Sequence, residues 1–311
     1  MKICFIGNYG HIIPAYNEMK KCEEAEFVGI ATASEYEKKE ELKLKEFGIK
    51  VFDSYQEMIE ETKPDVVVVS SVFGLTGEII KYCAQRKIDV FAEKPIAKNL
   101  TELEEVENAV RQNNIHFSAM FFLRFQPTFY HAQKMVRNGC IGTVKLITAQ
   151  KSYKYGNRPE WYKNRELYTG TIPWVAIHAI DWIYFFVQKK FLSVNALHEG
   201  NPEMTALCQF EMEDDVFASV NVDYLRPLAS PSHGDDRIRV AGDKGVIEVF
   251  EDRFVLINEN GVKEYRPSDA PCLAYDFLLK REELSMDDVF MLTRVSLLAR
   301  ESADKKQTIN L

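Results

Sequence analysis

The feature that most constrains this chain is a run of four valines, Val66-Val67-Val68-Val69, with helical patterns on either side. An unbroken β-branched run has no polar face, so it fits a strand covered on both sides, as in a parallel sheet flanked by helices. The first 120 or so residues repeat the theme. Apolar strand candidates at 3–6, 27–31, 51–52, 89–92 and 115–119 alternate with amphipathic segments. Ser34-x-x-Glu37 and Thr101-x-x-Glu104 fit capping boxes that open helices, and Ser54 with Glu57 starts another. Strand–helix alternation of this kind demands right-handed crossovers, and hence a doubly wound parallel sheet.

The second half follows a different pattern. Strand candidates at 144–153, 191–196, 206–211, 217–223, 236–241 and 245–250 are joined mostly by turns such as Glu213-Asp214-Asp215 and Gly242-Asp243-Lys244-Gly245. Runs of strands without helices between them indicate a mostly antiparallel sheet. The expected fold is α/β: an N-terminal Rossmann-type domain over 1–121 and a C-terminal α+β domain with a largely antiparallel open sheet over 122–311. The length of 311 residues suits two domains.

Charge and cysteine usage narrow the class. A net charge of −8 disfavours a nucleic-acid reader, which needs a basic stripe. The six cysteines stand singly, without metal-ligand spacing, which predicts free thiols and no metal site. The apolar start at 3–6 is too short for a secretion signal, and no run is expected to span a membrane. These features predict a cytoplasmic protein.

Three stretches carry chemistry. Gly7-Asn8-Tyr9-Gly10-His11 follows the first strand and precedes a helix, the arrangement that offers backbone N–H groups to a phosphate. Tyr9 and Ile12 stand where the dinucleotide pattern has its second and third glycines. The second strand ends Ala31-Thr32-Ala33-Ser34, without a carboxylate for a ribose; Thr32 is the candidate there. Asp89-Val90-Phe91-Ala92-Glu93-Lys94-Pro95 puts a lysine at a strand's carboxyl end, where open α/β sheets gather their ligands. Trp174 to Trp182 forms an apolar helix carrying His178 and Asp181 three residues apart, on one face. Before it, Tyr155, Arg158 and Trp161 lie in an aromatic and basic loop suited to a sugar-like or carboxylated ligand.

Taken in order, the Ile6-Gly7 loop, Glu93-Lys94-Pro95, Leu123 to Pro127, Ile141-Gly142-Thr143-Val144, His178-Ala179-Ile180-Asp181 and the Gly242 turn resemble the Gfo/Idh/MocA family of nicotinamide-dependent oxidoreductases. The resemblance covers nearly the whole chain. It implies an NAD or NADP cofactor held by Gly7, Asn8, Tyr9, Gly10, His11, Thr32, Ser71, Phe73, Glu93 and Lys94. It implies catalytic roles for Lys94 and His178, with Asp181 holding the histidine, and a homo-oligomer, dimer or tetramer. Trp174 stands where the family usually has an aspartate, and Thr76 where it usually has a histidine.

The expected activity is hydride transfer between NAD(P) and a secondary alcohol of a sugar, cyclitol or related small molecule. Lys94 would be the general acid/base, oriented by Glu93. Tyr155, Arg158, Trp161 and Trp174 would contact the substrate, Trp174 as a stacking wall. The alternatives are a non-catalytic ligand- or nucleotide-sensing regulator on the same fold and an enzyme that cleaves glycosides with a retained NAD.

Overall fold

The computed structural model describes residues 1–38, 42–200, 203–281 and 284–311. It divides into two compact units. The first comprises Met1–Met120, Asn164–Thr169 and Cys272–Thr293; the second comprises Phe121–Lys163, Gly170–Pro271 and Arg294–Leu311.

The first unit is built on six parallel strands: β1 (Lys2–Gly7), β2 (Glu26–Ala31), β3 (Val51–Phe52), β4 (Val66–Ser70), β5 (Asp89–Ala92) and β6 (Phe117–Ala119). Their order is β3-β2-β1-β4-β5-β6, so the direction of winding reverses between β1 and β4. Helices α1 (Ile12–Met19), α2 (Tyr55–Thr62), α3 (Thr76–Ala84) and α4 (Leu100–Asn113) connect them. Every residue of β4 is buried, as the valine run requires. Ser54 caps α2 by accepting the Glu57 N–H at 3.1 Å.

Two helix starts differ from expectation. α4 is capped by Asn99, which accepts the Glu102 N–H at 2.9 Å, while Glu102 reaches back to the Lys98 N–H at 2.8 Å. The pair Asn99-x-x-Glu102 satisfies the capping pattern two residues before Thr101-x-x-Glu104. Ser34 opens no helix within 34–38, which form turns, and 39–41 of the expected charged helix lie outside the described residues.

The second unit carries nine strands: β7 (Val144–Tyr153), β8 (Phe191–Gly200), β9 (Glu203–Met212), β10 (Val216–Asp223), β11 (Gly234–Gly242), β12 (Gly245–Val249), β13 (Phe254–Asn258), β14 (Gly261–Tyr265) and β15 (Ile309–Asn310). The order is β14-β13-β12-β11-β7-β10-β9-β8-β15, antiparallel throughout except between β7 and β10. The two motifs around Gly142 and Gly242 lock together. Asp243 accepts the Thr143 N–H at 2.9 Å, and its own N–H donates to the Thr143 carbonyl at 3.1 Å. Helices α5 (Pro127–Arg137), α6 (Arg165–Tyr168), α7 (Ile177–Val187), α8 (Leu273–Leu278) and α9 (Met286–Lys305) complete the chain. α5 and α7 pack together through Phe129 and Trp182, with ring centroids 4.4 Å apart.

The segment Arg165–Val187 is long and apolar enough to cross a bilayer by length and composition, but 83% of its most apolar window is buried inside the protein. Positive φ at Thr169 and Gly170 breaks it into two pieces. It is a core helix.

Ile3 is fully buried in central β1, between Phe27 of β2 and Val66 of β4. Ile3→Ala leaves a cavity there and is expected to lower stability by about 2–5 kcal/mol, read from urea unfolding. A loss within ordinary surface-substitution range would mean that β1 is not the centre of this core.

Candidate active site

The first unit places the glycine loop, Thr32, Ser71 and the Glu93-Lys94 pair at the carboxyl ends of β1, β2, β4 and β5. Gly7 has φ of +91°, and a Cβ there would lie 2.4 Å from the Ser70 carbonyl oxygen. Gly10 has φ of +62°, and a Cβ there would lie 1.9 Å from Glu93 Oε2. The turn is therefore rebuilt around Gly10, and Tyr9 is carried aside. Its N–H donates to the Ser70 carbonyl at 2.8 Å and its hydroxyl to the Tyr36 carbonyl at 3.0 Å. Asn8 Oδ1 accepts the Lys43 N–H at 2.8 Å.

Glu93 is fully buried. Its Oε2 accepts the His11 N–H at 2.6 Å and lies 2.9 Å from His11 Nδ1. Burial pushes this carboxyl up, but the charge and hydrogen bonds of His11, with Lys94, outweigh it and hold Glu93 below the ordinary carboxylate value. Glu93 also accepts the backbone N–H of Lys94 at 3.0 Å. Lys94 is itself only 2% exposed, and a cis peptide bond joins it to Pro95. Phe73 is buried beyond the end of β4, its ring 6.5 Å from Tyr168.

Glu37 is the residue that sequence reasoning missed. The reading of 31–34 left no carboxylate for a ribose, yet the chain turns back and Glu37 Oε2 accepts the Ala33 N–H at 2.6 Å. Burial pushes this carboxyl above its ordinary value, against the lowering effect of the Ala33 N–H. Ser71 and Val72 approach it from the end of β4. Glu37 Oε1 and Ser71 Oγ are both buried without a well-aligned hydrogen-bond partner. An ionisable group buried with an unsatisfied oxygen at a strand-end crevice fits a ligand that supplies hydroxyl donors, as a ribose does.

In the second unit, a wide π-helical turn (Ile172–Ala176) carries Trp174 into α7. His178 is 3% exposed, and its ring meets the Phe121 ring edge-on at 6.1 Å. Asp181 has a partner that the sequence did not reveal. Arg124, itself buried, grips the carboxylate through Nε at 3.0 and 3.1 Å and through Nη2. Asp181 thus anchors α7 to the 122–125 turn. Among the proposed substrate contacts, Tyr155 meets Tyr224 edge-on at 5.6 Å, and Arg158 stacks between Tyr162 and Tyr224. Trp161 is buried against Tyr162.

Comparison with known proteins agrees with this architecture. A family model described as an oxidoreductase family with an NAD-binding Rossmann fold matches residues 1–121, and the GFO/IDH/MocA C-terminal domain model matches 129–248. The chain belongs to the GFO/IDH/MocA family. A solved structure from Thermotoga maritima, described as a candidate oxidoreductase, is 40% identical with a TM-score of 0.96, each chain covered over 100% of its length. A levoglucosan dehydrogenase solved with NADH and levoglucosan shares the fold at 18% identity and a TM-score of 0.86, over 100% of this chain and 99% of that one. The trans-1,2-dihydrobenzene-1,2-diol dehydrogenase of Xenopus tropicalis is 23% identical across 66% of this chain and 61% of its own length. The chain spans about three fifths of the length of the first curated relatives it matches and less than half of others.

The Rossmann unit of this GFO/IDH/MocA member fits the cofactor that its family model names. The fit rests on the glycine turn, the strand-end crevice and the orphaned oxygen of Glu37. The cost of holding that carboxylate gives a test. The folded protein binds the Glu37 proton more tightly than the unfolded chain does. Ionisation therefore costs stability as pH rises above the ordinary carboxylate value, and the cost vanishes below it. Glu37→Gln is expected to raise the urea midpoint of the nucleotide-free protein at neutral pH and to converge with wild type near pH ~4. Equal midpoints at neutral pH would remove the burial cost.

Proposed function

We propose that this chain is an NAD-dependent oxidoreductase acting on a secondary alcohol of a sugar, cyclitol or related hydroxy compound. The observation that carries this reading is the buried Glu93-Lys94 pair at the carboxyl edge of a parallel sheet, beside a glycine turn built to accept Glu93. Relatives named for oxidation of a dihydrodiol and of levoglucosan support the alcohol substrate.

Gly7, Asn8, Tyr9, Gly10 and His11 hold the pyrophosphate end of the nucleotide. Thr32, Glu37, Ser71 and Phe73 hold its adenosine half. NAD, when bound, supplies the hydride acceptor. Lys94 takes the hydroxyl proton as the C–H electron pair leaves the alcohol carbon, and returns it in the reverse direction. Glu93, pinned by His11, keeps a negative charge beside that lysine in both states. His178 polarises the substrate oxygen, and Asp181 with Arg124 fixes the helix that presents it. Trp174 gives a flat wall for a sugar face, and Tyr155, Arg158 and Trp161 contact the rest of the substrate. Glu37 favours a ribose diol over a 2′-phosphate, and so NAD over NADP.

The protein works in the cytoplasm as a homo-oligomer. The described cysteines are all free thiols. The outward face of the nine-stranded sheet pairs Phe217 with Leu146 and Leu207 with Leu197, all exposed. Phe217→Lys is expected to shift the sedimentation coefficient toward the monomer; an unchanged value would place the interface elsewhere.

A second reading, a nucleotide- or sugar-sensing regulator without turnover, draws on the loop amides. The N–H groups of Tyr9 and His11 are already committed to Ser70 and Glu93. Thermal unfolding with NAD, NADH, NADP and NADPH in turn tests the cofactor. A nucleotide at about 100 times its dissociation constant stabilises by roughly 2.7 kcal/mol. A shift with NAD and NADH is expected. No shift with any of the four, in protein free of retained nucleotide, would sink the oxidoreductase. Lys94→Ala is expected to lower turnover by on the order of 10² or more while still binding NADH. Wild-type turnover in that variant would take the lysine out of the reaction.

A further inference from the structure

We infer that the substrate is a hydroxy acid whose carboxylate is bound by Arg158. This refines the oxidoreductase reading by naming the substrate class, and it rests on that reading for the reaction.

The argument begins with strand direction. β7 and β10 are the one parallel pair in the nine-stranded sheet, so Tyr153 and Asp223 end at the same edge. The loop that carries Lys154, Tyr155 and Arg158 leaves from that edge, and Tyr224 lies there too. α7 approaches the same edge. The Thr171 N–H just before it donates to Glu203 at 2.7 Å, at the start of β9, and the Tyr224 N–H donates to the neighbouring Met204 carbonyl at 2.8 Å. Farther along α7, the Trp182 ring lies 4.4 Å from Nζ of Lys151, two residues before the Tyr153 end of β7. His178 is one helical turn before Trp182, back toward the edge where Arg158 sits. The histidine and the arginine therefore share one end of one unit.

Arg158 is held in an unusual way for a surface-loop arginine. Its guanidinium carbon lies 5.3 Å from the Tyr162 ring centroid and 5.4 Å from that of Tyr224. Both tyrosines are buried. The side chain is half-buried, and its Nε is shut away from solvent without a hydrogen-bond partner. Aromatic faces fix the plane of the fork and leave its edge for an anion.

The surrounding charges do not supply that anion. Glu160 is paired with Lys163 at 2.8 Å, and Asp236 with Lys151 at 2.8 Å. Asp235 is taken by Arg237 at 2.7 Å, with Arg226 at 3.6 Å. Lys154 donates to the Ser230 carbonyl, and His233 lies close enough to Arg158 and Lys154 to feel both charges. Arg158 and Lys154 thus form a positive excess with no carboxylate of their own among the described residues. The Nη end of the planar fork, unlike Nε, is not shut away, and its parallel N–H pair matches a carboxylate end-on. A hydroxyl would leave most of its donors unmet.

The test uses the full-length protein with NAD and matched sets of probes: glycerol and D-glycerate, and D-glucose, D-gluconate, D-glucuronate and D-glucose 6-phosphate. NADH formation and calorimetric binding to the NADH complex are read in wild type, Arg158→Gln and Arg158→Lys. The expected result is that acids bind and are oxidised in preference to their neutral and phosphorylated counterparts. Arg158→Gln should raise KM for the acid by on the order of tenfold or more, with Arg158→Lys between. NADH affinity and thermal midpoint should stay at wild-type values, which separates lost recognition from lost folding. Oxidation of neutral or phosphorylated sugars alone would overturn the carboxylate and leave the oxidoreductase standing. An unchanged KM for the acid in Arg158→Gln would also overturn it. A protein that binds NADH but neither binds nor oxidises any probe would count against both.

Discussion

Glu93 is a wholly buried carboxylate, and the first unit is arranged around satisfying it. A buried charge needs both a counter-charge and hydrogen bonds. His11 provides hydrogen bonds through its backbone N–H and its ring, from the turn after β1, and so ties the end of β5 to the start of α1 across β4. The turn must then pass so close to the carboxylate that only glycine fits at position 10. Displacement of Tyr9, the hydrogen bonds to Ser70 and the crevice above β1 all follow from that one approach. The departure from the usual glycine spacing is thus a different solution to the same packing problem.

Most strands were legible in the sequence because they announce themselves locally, but β13, β14 and β15 were not among the expected ones. Val66 to Val69 and the alternation in Phe217 to Asp223 each fix burial by period alone. Helix starts were less so. Asn99-Glu102 and Thr101-Glu104 both satisfy the capping rule, and the chain uses the first that it meets. Ser34-Glu37 satisfies it as well, but a buried niche beside Ser71 and Val72 claims the glutamate. That niche is made by residues more than thirty positions away, which no local pattern encodes. Asp181 was singled out correctly as unusual on an apolar helix, yet its partner Arg124 lies in a distant turn.

The second unit spends its buried charges differently. Arg124 with Asp181 joins α7 to the 122–125 turn, and Lys151 with Asp236 lies on the sheet beneath Trp182 of α7. Burial pushes the Lys151 pKa down, against the pull of Asp236. Such pairs add little net stability, since desolvation offsets most of their attraction. What they add is position. A helix packed only through apolar side chains can slide or roll at small cost, whereas one gripped by a bidentate guanidinium cannot. α7 carries His178, so this rigidity acts where a small misplacement matters most.

The order in which the chain visits its two units has a consequence for any attempt to take it apart. It passes from one to the other after residues 120, 163, 169, 271 and 293. A cut near residue 121, where the family model for the Rossmann fold stops, would not release a finished piece. α8, contributed from 150 residues later, lays Phe277 against Phe91 at 5.1 Å and His116 at 4.4 Å, and the Ala274 N–H donates to Glu18 of α1 at 2.7 Å. The fragment would bare that apolar face. Exchange of nucleotide-binding halves between relatives by simple joining at this boundary would therefore strand a helix on the wrong side of the splice. A working hybrid needs the late segment to travel with the early one.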